Sequence, residues 1–179
     1  EKYGPNELDK EEGRNFFRKL LPTIDVLIEN FAPRVMPNFG FDEEALKQRN
    51  PSMTYITMPG YGRSGPNKDW VAYGPTLDGH VGHTWLTGYE GEGPWKCGIA
   101  WPDPIAGLHA AAGVLVALLD RQCCGISGQT VEVPQAETAI NMIGQHILSA
   151  QAGLQSERMG NKRFGRAPQG VYRCSGEDR

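Results

Sequence analysis

The sequence predicts an α/β domain, a parallel sheet flanked by helices, and three observations carry that prediction. Strand-length apolar runs, "DVLIENF" (25–31) and "MTYITM" (53–58), alternate with stretches of helical period, "KEEGRNFFRKLL" (10–21) and "DEEALKQRN" (42–50). A long apolar helix with Ile105, Leu108, Ala112, Leu115 and Leu119 at helical spacing leads through a Gly-bounded loop to a short alternating strand, "TVEV". The 179 residues suffice for one domain with a proper core.

Each element has a local reason. The first helix is amphipathic and stops before Pro22, which cannot continue it. The first strand is a buried run that turns at "APR". The helix over 42–50 carries acids in its first turn and Lys47 and Arg49 in its last, which suits the helix dipole. The second strand closes at "PGYGRSGP". Residues 67–101 are rich in Gly, Trp and Tyr without a clear period, and predict a long irregular segment of the kind that carries function. In "WPDPIAGLHAAAGVLVALLDR", Asp103 before Pro104 predicts a helix N-cap at the head of a buried helix. A further helix over 136–152 places Ile140, Ile143, Ile147 and Leu148 on one side, and "APQGVYRC" predicts the start of another strand.

Composition narrows the function classes. The formal net charge is −3, and Lys and Arg are scattered except for Lys162, Arg163 and Arg166, so there is no basic stripe for nucleic acid. The apolar run over 105–119 is too short for a membrane span. The four cysteines form no CxxC pair, which predicts free thiols and a cytoplasmic location. The chain does not begin with Met and opens in what reads as a running helix, so it is read as part of a longer protein.

Several candidate motifs fail on their context. "GYGRSG" matches GxGxxG after a strand, but Pro66, Asn67, Lys68 and Asp69 start no helix to meet a pyrophosphate, so a turn allowing close backbone approach is the better reading. His80 and His83 form HxxH without a Glu or third ligand and read as loop histidines. Cys97 has no neighbouring activating group. The aromatics Trp70, Tyr73, Trp85, Tyr89, Trp95 and Trp101 are candidates to line a pocket.

Taken in order, the motifs "DVLIENFAPRVMPNFGFDEEALKQRNPSMTYITMPGYGRSGP" and "DPIAGLHAAAGVLVALLDRQCCGISGQTVEVPQAE" resemble the family III CoA-transferases. That family carries a "D-V-x-x-E-N-F" strand, a helix ending in "N-P", a "G-[FY]-G-x-x-G-P" turn and a "D-x-x-x-G" helix followed by "G-x-G-Q". The resemblance covers nearly the whole chain. It implies a Rossmann-like large domain in an interlocked homodimer, with residues 1–168 as its central part and 169–179 as the start of the connection to a small second domain.

The resemblance also implies a chemistry. Asp103 falls on the family's nucleophile, which attacks an acyl-CoA thioester and forms an aspartyl intermediate before CoA passes to a carboxylic acid acceptor. The first-turn N–H groups and dipole of its helix favour the ionised carboxylate. Coenzyme A enters as substrate and no metal is implied. Asn30, Phe31, Val35, Asn38, Phe39 and Tyr73 fall on positions that bind the CoA substrate, although family members often carry a basic residue where Asn38 stands. Arg34 replaces a common Gly in the same turn.

Tyr73 falls where the α-methylacyl-CoA racemases of the same fold place a catalytic His. A tyrosine, with a reference pKa of about 10, is a poor base near neutrality, which favours transferase over racemase. A racemase or isomerase in which Asp103 only shuttles a proton is the alternative, as is a non-catalytic CoA-binding protein in which Asp103 is only a cap.

Overall fold

The computed structural model describes residues 8–176. The opening of the chain, and the last residues of the expected connection, lie outside that range. A three-stranded parallel sheet in the order β1-β2-β3 is the centre: β1 is Val26–Glu29, β2 Thr54–Thr57 and β3 Thr130–Glu132. Val26 pairs with Thr54, and Tyr55 with Thr130. All four residues of the middle strand are buried, as expected when both faces of a parallel sheet are covered.

Successive residues of β2 serve opposite faces. Tyr55 joins a core with Leu21, Met36, Phe41, Leu46 and Met53. These come largely from α1 (Glu11–Leu20) with its following 3₁₀ turn, α2 (Val35–Asn38) and α3 (Glu43–Arg49). Phe17 meets Phe41 edge-on with ring centroids 4.7 Å apart. Burying a side chain such as Phe41 or Leu46 is worth roughly 1.5–3 kcal/mol relative to exposure. Asp42 caps α3 by accepting the Ala45 N–H at 2.8 Å. Asn50 then ties its end down: the buried amide donates to the carbonyls of Leu21 and Ile24 and accepts from Ser52.

Ile56 faces the other way, into a cluster with Ala110 and Val133. Ala110 lies on α6, which runs from Pro102 to Cys124. This helix corrects the sequence reading twice. It is 23 residues long, so length and composition alone would let it cross a bilayer, yet it packs on β2 and on α7 (Gln135–Ile140). Its buried residues are Pro102, Ile105, Ala106, Ala110 and Ala117, while Leu108 and Leu115 are 72% and 68% exposed. The cause is close packing: small residues let the helix axis approach the sheet, and a Cβ on Gly113 would stand 3.2 Å from Val131.

Three further expectations change. The segment 67–101 holds two helices, α4 (Gly74–Val81) and α5 (His83–Leu86). The buried face of α4 is Gly74, Leu77, Asp78 and Val81; a glycine and an aspartate hide its hydrophobic period. The single helix expected over 136–152 is α7, a 3₁₀ turn (Asn141–Ile143) and α8 (Gly144–Gln151), with Ile147 and Leu148 exposed. "APQGVYRC" forms no strand.

Candidate active site

In open parallel sheets ligands bind beyond the carboxyl ends of the strands, and the residues singled out by sequence gather there in two groups. Asn30 and Phe31 leave the end of β1, both exposed. Val35 and Asn38 bound α2, and Phe39 is its C-cap. Asn38 is exposed, whereas Phe39 is partly buried and leans on the Leu21–Phe41 core. The second group is Tyr73, the N-cap of α4, and Asp103.

Asp103 is not the N-cap. Trp101 holds that position and Pro102 begins α6, so Asp103 is the second helical residue. Both prolines of "WPDP" fit the first turn, where a missing N–H costs nothing. The Asp103 N–H contacts the Ala100 carbonyl at 3.3 Å, and the Ile105 N–H the Trp101 carbonyl at 3.2 Å. The expected donation from this turn to the carboxylate is therefore reduced: two donors are absent and two engaged.

A second helix start lies beside Asp103. A Cβ on Gly74 would overlap both Asp103 Oδ2 and the Ala100 side chain. The first turn of α4 thus lies directly against the carboxylate, with Tyr73 at its edge, 71% exposed. The first turns of two helices thus meet at Asp103. The Gly-rich turn sets the approach: a Cβ on Gly60 would overlap that of Ala72. No helix follows this turn before Gly74, as its sequence context implies.

The β1 loop is held by a residue the sequence reading passed over. Glu29 is buried; Oε2 accepts the Phe31 N–H at 2.7 Å, and Oε1 accepts the Tyr55 hydroxyl at 2.9 Å. Burial, with the Glu29 charge second, raises the Tyr55 pKa above its ordinary value. Arg63 of the Gly-rich turn pairs with Glu43 Oε2 at 2.9 Å, and its backbone N–H donates to Glu132 Oε1. Glu43 titrates at about 2, chiefly because the Lys47 ammonium bonds it, with Thr130 and Arg63 adding to the effect. The signal for Glu29 was present: a carboxylate ending an apolar strand needs partners.

The HxxH residues sit in helices and do not converge. His80, in α4, is exposed and packs edge-on with Tyr61 and Trp70. His83, in α5, is buried, with Nδ1 3.1 Å from Asp78 Oδ1 and Nε2 3.0 Å from the Ala139 carbonyl. Among the described residues no three His, Cys, Asp or Glu side chains gather as a metal site.

A parallel α/β layer with a helix-start aspartate at the carboxyl end of its strands defines the class, and comparison defines the family. Residues 7–178 match CoA-transferase family III, and the chain belongs to it. The succinyl-CoA–D-citramalate CoA-transferase of Chloroflexus aurantiacus is 32% identical over 167 residues, 93% of this chain and 41% of that protein. The succinate–glutarate CoA-transferase of Agrobacterium fabrum is 29% identical, covering 87% of this chain and 39% of its own length. A formyl-CoA:oxalate CoA-transferase of Streptomyces avermitilis is 33% identical over 132 residues, 74% of this chain and 32% of that protein.

The fold agrees with solved structures. A CaiB/BaiF family protein from Brucella suis superposes with a TM-score of 0.82 and 31% identity, over 90% of this chain and 43% of that one. A hypothetical protein of Mycobacterium tuberculosis gives 0.73 and 26%, over 81% and 42%. The chain spans about two fifths of the length of the first two curated relatives.

Proposed function

We propose that this chain is the central part of a CoA-transferase large domain, and that the complete enzyme moves CoA from an acyl-CoA to a carboxylic acid through Asp103. The observation that carries the reading is the setting of Asp103: exposed, in the first turn of α6, with the start of α4 against it. A carboxylate so placed has the start of α4 on one side and stays open to substrate on the other, as a nucleophile requires.

The chemistry balances without water. An Asp103 oxygen attacks the thioester carbonyl and CoA leaves as thiolate, giving a mixed anhydride. The thiolate then attacks the Asp103 carbonyl, releasing the donor acid and leaving an aspartyl-CoA thioester. The acceptor carboxylate attacks that carbonyl, CoA leaves again, and its attack on the acceptor side of the new anhydride returns Asp103. Excluding water keeps the thioester energy.

Asn30, Phe31, Val35, Asn38 and Phe39 are proposed to contact CoA, and Tyr73 to border the reacting acyl group. Tyr73 also favours transfer over the racemase alternative, which needs a base near neutral pH at that place. The complete protein is proposed to be a cytoplasmic homodimer, to which the exposed leucines of α6 are available. The relatives named above act on small dicarboxylic acids, so succinate, glutarate and oxalate are the first acceptors to assay.

The test is trapping. The complete enzyme is incubated with acyl-CoA esters and quenched with hydroxylamine, and the tryptic peptide over 97–121 is weighed. A hydroxamate at Asp103 is expected. An unmodified peptide, with CoA binding demonstrated separately, overturns covalent transfer and favours the racemase or binding-protein alternatives.

A further inference from the structure

We propose that Asp78 and His83 form a positioning couple that fixes the rotation of α4 and so holds Gly74, with Tyr73 next to it in the chain, against Asp103. This rests on the CoA-transfer reading above; the sequence reading took His83 as a loop histidine and did not single out Asp78.

The couple is buried and directional. Asp78 has 0% exposure and His83 8%. The imidazole spans two elements, with Nδ1 facing Asp78 Oδ1 and Nε2 facing the Ala139 carbonyl on α7. A carbonyl only accepts, so Nε2 carries a proton. A hydrogen bond between Nδ1 and Oδ1 needs one further proton, on one atom or the other. Asp78 Oδ2 is buried with no hydrogen-bond partner among the described residues.

Stability does not account for such a pair. Buried ion pairs replaced by apolar side chains of similar volume often leave stability unchanged or raised. Orientation does account for it. The helix α4 has eight residues, and its apolar anchors Leu77 and Val81 rest on Ala136 and Ala139, whose methyl groups resist rolling weakly. Gly74 and Asp78 are four residues apart and share one face of the helix. A rotation that withdrew Asp78 from His83 would also withdraw Gly74 from the Asp103 carboxylate. The bonds from Asp78 through His83 to Ala139 prevent that rotation.

The experiment uses the complete enzyme and compares Asp78→Ala with Asp78→Asn. Asparagine can donate its amide to Nδ1 while Nε2 still donates to Ala139, so it preserves the link; alanine removes it. The readouts are kcat per trapped Asp103, KM for the acyl-CoA, and Tm. We expect Asp78→Ala to lower kcat at least tenfold with KM within twofold, and Asp78→Asn to recover kcat to within threefold of wild type.

A folded Asp78→Ala enzyme with kcat within twofold of wild type overturns the proposal, as does equal loss in both variants. If Asp78→Ala does not fold, His83→Gln decides by the same readouts, because one amide cannot reach both Asp78 and Ala139. It must then show reduced kcat with unchanged KM. A wild-type enzyme that forms no Asp103 hydroxamate instead defeats the transfer reading itself, a result separate from any variant.

Discussion

Gly74 and Asp103 come together so closely that position 74 has no room for a methyl group. The pairing joins a helix start that sequence periodicity hides to one that it shows plainly. Gly74→Ala must push either α4 or the carboxylate aside. We expect kcat to fall at least tenfold and stability to fall by about 1–3 kcal/mol, the usual cost of overpacking; steady-state kinetics and a denaturant melt check both.

Asp103→Asn separates chemistry from folding. Since Asp103 is not the cap of α6, the substitution removes no cap bond, and stability should stay within about 0.5 kcal/mol of wild type, as for ordinary exposed positions. Transfer and hydroxamate formation should vanish. Calorimetry beside the trapping assay reads both, and a retained hydroxamate would disprove the assignment.

Glu29 supports the loop proposed to receive CoA. Glu29→Ala leaves the Tyr55 hydroxyl and Phe31 N–H without their acceptor. Stability should drop by about 2–6 kcal/mol, from two groups left unmatched at about 1–3 kcal/mol each. The KM for acyl-CoA should rise more than kcat falls, which initial-rate measurements will show.

Glu43 gives an acid dependence of known sign. Its pKa in the fold, about 2, lies below the ordinary 4.5, so its contribution is fully present above pH 4.5 and is lost as the pH falls through 2. The pair is partly exposed, which limits the contribution to about 1 kcal/mol. Glu43→Gln should therefore lower stability at pH 6 and make much less difference at pH 2, as urea titrations at the two values will show.

Much of this was legible in the residues. The strands and α3 announce themselves through apolar runs and through acids in the first turn and bases in the last, because those signals are local. The resemblance pointed to Asp103, and the structure added its setting. What stayed hidden depends on partners distant in sequence. The buried face of α4 includes Gly74 and Asp78, chosen for close approach and for a bond to His83, so its hydrophobic pattern is diluted. The leucines of α6 misled for the converse reason: small side chains make the contact with the sheet, and the large ones face outward. Glu29 reads as a flaw in a strand until Tyr55 and the Phe31 N–H are seen to need it.

The Asn50 side chain has a bearing on how the molecule opens. Its one amide links the turn after α1, the end of α3 and the entry to β2, closing spans of 29 and 26 residues. Segments stapled by buried side-chain bonds open together or not at all. The stretch from Leu21 to Tyr55 should therefore exchange its amide hydrogens as one cooperative block. The exposed α8 should exchange earlier and independently, so a brief unravelling at that end would leave the loop proposed to contact CoA folded.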